Sequence, residues 1–252
     1  MKKTILCIAI AAVFIMSSCQ RELSKGEINL KAVSEREAWL SADLDDDFAA
    51  AQKEVKTYLF SSEDFSKLTS TPNVHHLRFV LGYDSGIISI DAVGVDSKGH
   101  EVSRIESKVL YASSNEDKLA ELDEVTVDLT KKRSAVLNKH LLSPQIAFSG
   151  IEAWQSKLNK VQNLNDVTSY DGLRVQHYAL ETDVISAIID KAGVENVGLF
   201  LGLNSEGKLT TILAGLDKND NIKKASPASN VIDAVYDFSE PSPPAKADDE
   251  NQ

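Results

Sequence analysis

The sequence predicts an α+β protein made of two tandem copies of a helix-strand-helix-β-meander module, and three pairs of stretches predict it. "LRFVLGYDSGIISIDAVGVDSKG", from Leu77, and "VGLFLGLNSEGKLTTILAGLDKND", from Val197, are near-copies of each other. "YLFSSEDFSKLTSTPNVHHLRFVLG", Tyr58 to Gly82, aligns without a gap with "YALETDVISAIIDKAGVENVGLFLG", Tyr178 to Gly202. Upstream, "AVSEREAW" from Ala32 matches "AFSGIEAW" from Ala147. One insertion near Glu206 restores Gly94 against Gly215 and Asp96 against Asp217. Trp, Gly and Asp positions shared over several elements favour an internal repeat over generic α+β patterning.

Each shared piece has a physical reading. In "SEREAW" Ser34 is expected to cap a helix while Glu37 reaches back to it, and Ser149 and Glu152 repeat the pattern. Val33 and Phe148 then stand where a hydrophobic staple would meet Ala38 and Ala153. Trp39 and Trp154 are expected core anchors. A short strand, "TYLF" or "HYAL", runs into a second helix, capped by Ser61 or Ser62 in the first copy and by Thr182 in the second. Its apolar face is Phe65 and Leu68, matched by Val184, Ile185 and Ile188, and Pro72 and Gly193 end the two helices. Leu77, Phe79, Leu81 and Tyr83 alternate onto one face of a strand, as do Val197, Leu199, Leu201 and Leu203. "DSG" and "NSEG" are hairpin turns, and a further strand is expected over Ile105 to Tyr111 and over Val231 to Phe238.

These readings divide the chain. Residues 30–112 form the first repeat and 144–240 the second, either as separate domains or as one merged sheet. Residues 113–143 have no counterpart and read as a charged connector with a helix around Lys131 to Leu142. Residues 19–29 read as a tether. The tail 241–252, "PSPPAKADDENQ", holds no large apolar residue and is expected to be disordered.

The start of the chain carries an address. Lys2 and Lys3 precede the apolar run Ile5 to Met16, then Ser17, Ser18 and Cys19, which is the layout of an export signal over residues 1–18. Twelve apolar residues fall short of the ~20 that span a bilayer as a helix. "MSSC" resembles the lipobox of bacterial lipoproteins, although Met16 stands where Leu is usual. The resemblance implies acylation of Cys19, which would become the first mature residue. Cys7 would leave with the signal, so Cys19 would be a lone thiol in an oxidising compartment, and acylation accounts for it. Losing Lys2 and Lys3 takes the net charge from −11 to −13. Such acidity repels phosphate backbones and anionic head groups, so nucleic acid is not an expected partner and membrane attachment falls to the lipid. Gln20, rather than Asp, after the modified cysteine points to the outer membrane, facing the periplasm.

With both copies laid out, the order "S-x-x-E-A" (Ser34 to Ala38), "F-S-x-E-x-F" (Phe60 to Phe65), "R-F-x-L-G" (Arg78 to Gly82), "G-V-D-x-x-G" (Gly94 to Gly99) and "Y-D-x-x-x-P-x-P-P" (Tyr236 to Pro244) resembles a family of uncharacterised exported proteins of Bacteroidota. That family's closing segment often carries cysteines beside the prolines, where this chain has Ser242, so the resemblance implies no disulfide here. It implies no activity either.

Candidate chemistry is sparse. "DLDDDFAAAQKE" places Asp43, Asp45, Asp47 and Glu54 at EF-hand spacing, but Phe48 replaces the turn glycine and "AAAQKE" favours helix, so an acidic helix start is the stronger reading. "DKNDN" from Asp217 is expected to be a turn, as is its counterpart "DSKGH". His75 and His76 point to opposite faces of a strand, and His100, His140 and His177 are scattered, which predicts surface or strand-edge histidines and no metal centre. Ser85 and Ser205 follow Gly82 and Gly202 by three residues, one too many for a nucleophile elbow. No metal, cofactor or catalytic residue is therefore assigned. The expectation is a lipid-anchored envelope protein that binds or scaffolds an envelope protein or glycan partner. The rival is an envelope hydrolase using carboxylates near the turns, such as Asp84, Asp96 or Glu63, with Asp84 against Asn204 marking where the copies diverge.

Overall fold

The computed structural model describes residues 25–111, 122–127, 131–224, 231–232, 235–237 and 241–242. The export signal, Cys19 and the tail beyond Ser242 lie outside the described residues, as do most of the charged residues that open the connector. The fold is mixed α+β, with antiparallel sheets.

The N-terminal half runs α1 (Lys25–Ser41), α2 (Asp46–Lys53), β1 (Val55–Ser61), α3 (Ser62–Ser70), β2 (His76–Asp84), β3 (Ile87–Val95), β4 (Glu101–Glu106) and β5 (Lys108–Tyr111). The connector contributes β6 (Thr126–Val127), α4 (Ala135–His140) and β7 (Leu141–Leu142). Then follow α5 (Pro144–Leu158), α6 (Leu164–Val167), β8 (Ser169–Tyr170), β9 (Leu173–Arg174), β10 (His177–Glu181), α7 (Thr182–Ile189), β11 (Asn196–Leu203), β12 (Leu209–Leu216), β13 (Val231–Ile232), β14 (Val235–Asp237) and β15 (Pro241–Ser242).

Two large sheets result, and each takes strands from both halves. The six-stranded sheet has the order β5-β1-β11-β12-β14-β7, and the five-stranded sheet β15-β10-β2-β3-β4. Strand β1 leaves its own meander to pair with β11, Tyr58 opposite Leu199, while β10 pairs with β2, Tyr178 opposite Phe79. The closing strands cross over as well. β4 pairs with β3 and its continuation β5 with β1; β14 pairs with β12 and its continuation β15 with β10. Neither 30–112 nor 144–240 holds either of the large sheets complete.

The sheets are tied through their shared core. Tyr58, on the six-stranded sheet, donates its hydroxyl hydrogen at 2.9 Å to the carbonyl of Ile88 on the other. Tyr178, on the five-stranded sheet, donates at 2.6 Å to the carbonyl of Leu209 in return. Buried Gln52 completes the first tie, accepting from the Ile88 amide at 2.9 Å and donating to the Tyr58 hydroxyl at 3.2 Å. Around them Phe60 of β1, Phe65 of α3 and Phe79 of β2 meet with ring centroids 5.0–6.1 Å apart, in tilted and edge-on geometries favoured by ring quadrupoles. Gly94 and Gly215 sit under the helix-to-strand turns, where a Cβ would come within 2.7 Å of Val74 or 3.0 Å of Val194. Helix α1 lies on β2 and α5 on β11. Trp39 is buried at the end of α1, its indole N–H donating at 2.6 Å to the Val175 carbonyl of the other half. Arg174 stacks 5.0 Å over the Trp39 ring and donates to the carbonyls of Trp39 and Ala42. Trp154 is equally buried, but its N–H has no partner; Gln155 reaches the neighbouring Val55 carbonyl at 3.4 Å.

Several local expectations are corrected. Helix α1 extends back to Lys25, into the segment read as a tether, and α5 starts at Pro144, so Ser34, Glu37, Ser149 and Glu152 lie inside helices. The stronger start signal is Ser143, which accepts from the Ile146 amide with proline at the first helical position. Val33, expected in a staple, is instead 41% exposed. Ser61 caps α3 as expected, whereas Thr182 is already helical and the cap position of α7 falls to Glu181, whose carboxylate is engaged by His140. Pro241–Ser242, assigned to the disordered tail, pairs with β10, at a sheet edge where proline's missing N–H is tolerated. The connector packs on the C-terminal half: β7 pairs with β14, and Ser134 caps α4.

Two outcomes test this arrangement. Tyr58→Phe strands both the Ile88 carbonyl and the Gln52 amide, so it should cost ~1–3 kcal/mol in urea unfolding and more than Tyr178→Phe, after which the Tyr170 hydroxyl, 3.5 Å away, still serves the Leu209 carbonyl. Separate chains ending at residue 112 and starting at 113 should each lack cooperative unfolding and recover it on mixing; a cooperative transition in either alone would contradict the exchange of strands.

Candidate functional site

A polar concavity lies between α1, the β2–β3 hairpin and the β4–β5 crossover. It has a volume of about 180 Å³ and is lined by Lys31 and Glu35 of α1, Asp84 at the hairpin, Ser89 and Asp91 of β3, and Glu106 at the end of β4. Helix periodicity places Lys31 and Glu35 one turn apart, and strand alternation places Ser89 and Asp91 on the same face of β3. The charges are matched internally. Lys31 Nζ lies 3.4 Å from Glu35 and 3.3 Å from Glu106. Ser89 donates its hydroxyl hydrogen to Glu35 at 2.9 Å. Arg104, largely buried, reaches Asp91 at 2.6 Å and Glu101 at 2.6 Å.

The electrostatics follow from burial and pairing. Burial pushes the Asp91 carboxyl above its ordinary value, and the bond to Arg104 opposes the rise. Burial alone would lower Lys31, but the Glu35 and Glu106 carboxylates raise it. Ion pairs this well matched can hold a strand crossover in place, and the same cleft can accept a polar ligand that exchanges for one of them.

Of the carboxylates weighed from sequence, the cleft contains only Asp84, which accepts from the Ser85 hydroxyl at 3.1 Å. Asp96 folds its own turn, accepting from the amides of Lys98 and His100 at 2.8 and 2.9 Å, which holds its carboxyl below the usual range. Asp217 accepts from Asn219 and Asn221 in the same way. Glu63 is an exposed partner of Lys67 on α3. Ser85 adopts φ +52° in its turn, where a hairpin requires it. Glu35, Asp91 and Glu106 were missed by sequence reasoning. The available signal was Asp91, an acidic residue in the otherwise apolar alternation of "IISIDAVGV".

At the corresponding face of the C-terminal half the helix packs directly against the hairpin. Gly150 replaces a side chain at the α5–β11 contact, where a Cβ would lie 2.9 Å from the Leu203 carbonyl oxygen, so helix and hairpin touch directly. Asn204 is consumed by its turn: its carbonyl oxygen accepts from the amides of Glu206 and Lys208, and its amide donates to Tyr170 at 3.1 Å.

The acidic stretch before α2 is a helix start, with Asp45 accepting from the Phe48 amide at 3.0 Å and Phe48 buried. Among the described residues, no group of three His, Cys, Asp or Glu side chains could hold a metal ion, and no helix is long and apolar enough to cross a membrane. His75, His76 and His100 are exposed as expected, but two histidines are not. His140 is 4% exposed and bonded to the Asp237 carbonyl at 3.0 Å and to Glu181 at 2.8 Å, because the connector brings it against both. His177 is depressed to about 4 by burial, helped by the positive charges of Arg78 and Arg36.

Compared with known proteins, the chain matches no family model, no curated protein and no solved structure.

His177 yields a pH prediction. Below about pH 6.5 the unfolded chain protonates this histidine while the folded chain leaves it neutral down to about 4, so stability falls as pH drops across that window, and the contribution of keeping this histidine neutral is fully lost below it. The loss should be on the order of 3 kcal/mol. His177→Gln should flatten the dependence of unfolding free energy between pH 7 and 4 by that amount, measured by urea titration.

Proposed function

We propose that this chain is a lipid-anchored protein of the bacterial cell envelope, acylated at Cys19, whose folded part binds or scaffolds a partner and performs no catalysis. The lipobox-like "MSSC" after a short apolar run supports the anchor, and the outer membrane, facing the periplasm, is the expected location. The observation that carries the non-catalytic reading is the engagement of the candidate carboxylates. Asp96 closes a turn, Glu63 pairs with Lys67, and Asp91 and Glu106 neutralise Arg104 and Lys31. Groups held this way contribute to shape and leave little proton-transfer capacity at neutral pH.

The reading includes a fused duplication. Tyr58 and Tyr178 bond to Ile88 and Leu209, at aligned positions. Gly94 and Gly215 meet Val74 with Leu68 and Val194 with Ile188, again at aligned positions. The crossing of β4 into β5 is repeated by β14 and β15. Such correspondence supports descent of both halves from one module that paired as two exchanged copies. Divergence then fell on surfaces: Glu35 against Gly150, Asp91 against Ile212, Asp84 against Asn204.

Fatty-acid probe labelling in cells should mark the wild-type chain and not Cys19→Ser. Crosslinking capture of the anchored chain should recover a discrete envelope protein or glycan, while Asp91→Asn and Asp84→Asn leave capture unchanged. An unlabelled wild type sinks the anchor, and a hydrolytic turnover abolished by Asp84→Asn or Asp91→Asn sinks the non-catalytic reading.

A further inference from the structure

Helix α1 carries a second apolar face. Three of the seven large apolar side chains exposed among the described residues lie on it: Leu30, Val33 and Leu40, each between 39 and 73% exposed. At 3.6 residues per turn they fall within about 80° of one another and run ~15 Å along the helix. The other side of α1 holds buried Trp39 and the Ser89-bonded Glu35 against the sheet, so the stripe is turned away from the core. Helix α5 differs at Gln145, Phe148 and Gln155, the positions that the match of Ala32 with Ala147 makes equivalent. There Gln145 donates to the Val125 carbonyl at 2.8 Å, Phe148 packs against a buried cluster, and Gln155 reaches the Val55 carbonyl at 3.4 Å. On α5 this face is covered by other parts of the chain, whereas among the described residues on α1 it is apolar and exposed.

The stripe's place in the chain says what covers it. Residues 20–24 separate Cys19 from the start of α1, so a lipid on Cys19 holds Lys25 within ~20 Å of a bilayer surface. Leu30 lies five residues further on, another ~7.5 Å along the helix axis. A surface tethered this closely meets the stripe at an effective concentration on the order of millimolar, enough to populate weak contacts. A second copy of the chain is a poorer occupant. Three side chains give far less than the ~800 Å² per partner of a stable interface. Pairing would also bury Glu37, an exposed residue that helix geometry puts on the same stripe between Val33 and Leu40. A bilayer surface takes up the apolar side chains and leaves that carboxylate in head-group water. Glu37 and the net charge of −11 repel anionic lipids, so zwitterionic head groups are the better match.

We propose that the outer stripe of α1 rests on a zwitterionic phospholipid surface, with Leu30, Val33 and Leu40 among the first acyl carbons and the Glu37 carboxylate among the head groups. The inference rests on the anchor reading above and adds an orientation to it. The lipid on Cys19 keeps the protein at the membrane, and the stripe fixes which side of the folded part faces it. The contact belongs to α1 alone, because Gln145 and Gln155 stand on α5 where α1 has Leu30 and Leu40.

The test uses residues 19–252 with Cys19→Ser, held by an N-terminal oligohistidine tag on vesicles that contain a nickel-chelating lipid. Val33→Cys carries an environment-sensitive fluorophore, and Ser156→Cys, on the exposed side of α5, carries the same label as a control. The vesicles are phosphatidylethanolamine with phosphatidylcholine, with or without a nitroxide near the top of the acyl chains. Nitroxide quenching of the Val33 label is expected to exceed that of the Ser156 label at least about twofold. Replacing phosphatidylethanolamine by phosphatidylglycerol should weaken it, and Glu37→Gln should strengthen it. Leu30→Ser with Leu40→Ser should abolish it while the circular dichroism stays that of the wild type. Equal quenching at both labels, no quenching at Val33, stronger quenching in phosphatidylglycerol, or indifference to the double serine variant would each overturn the proposal. So would a Val33 label already blue-shifted without vesicles, which assigns the stripe to a second copy where the shift depends on protein concentration and to the chain itself where it does not. Because the tag replaces the acyl chain, the two readings fail separately. A wild type that takes up no fatty acid overturns the anchor whatever the vesicles show, and absent quenching with an acylated wild type overturns this inference alone.

Discussion

The structure depends on two tyrosine hydroxyls that each cross the core to a carbonyl of the opposite sheet. A phenol buried without a partner costs roughly 1–3 kcal/mol, so each hydroxyl fixes the distance between sheets as well as contributing its own bond. Tyr58 and Tyr178 stand on the two exchanged strands, β1 and β10, and each is buried in the core. An exchanged strand is covered on one face by the core and bordered on both edges, β1 by β5 and β11, β10 by β15 and β2. Burying the edges of strands in this way removes sites that would otherwise pair with other chains. It also makes every large sheet a joint product of the two halves, so packing energy cannot be assigned to either half alone.

That joint construction explains the distribution of asymmetries. On the proposed duplication, positions inside the frame keep matched chemistry: the tyrosines, the apolar faces of the helices and strands, and the glycines under the turns. Positions where a helix meets the outer face of a sheet are free to differ. On one side Glu35 takes the Ser89 hydroxyl hydrogen near Asp91, and a polar cleft opens beside the α1–hairpin contact. On the other, Gly150 and Gly202 bring α5 directly onto β11, where a Cβ on Gly202 would meet Ile212 at 2.7 Å. The tryptophans differ too: the Trp154 indole N–H is left unpaired while Trp39 reaches a carbonyl.

Much of the element order was legible because its signals are local. The alternation of Leu77, Phe79 and Leu81, the cap at Ser61 and the turn aspartates Asp96 and Asp217 need only neighbouring residues to act, and each does what its spacing implies. Strand exchange was not legible, because nothing near Tyr58 encodes that its partner is Leu199 and not a strand of its own meander. The helix starts were misread for a related reason. "S-x-x-E" is a capping box only when the chain ahead of it is not helical, and Ser143 with Pro144 had already begun α5. The cleft escaped notice because Glu35, Asp91 and Glu106 come from three elements that meet only in three dimensions. His140 looked like a surface histidine until the connector folded back to bury it against Glu181 and the Asp237 carbonyl.

A frame shared in this way constrains where function can reside. Any residue whose side chain enters the common core answers to both halves at once, so a change there disturbs two sheets, whereas a change on an outer face disturbs one contact. Among the described residues the connector is bonded to the C-terminal half, through β7 against β14 and His140 against Glu181. It therefore adds new surface without altering the exchanged strands. Its cations meet the end of α7 over an apolar floor, while the acidic cleft opens on the opposite half between α1 and the β2–β3 hairpin. One shared core thus presents two chemically different surfaces, and those surfaces can change while the joint sheets beneath them stay fixed.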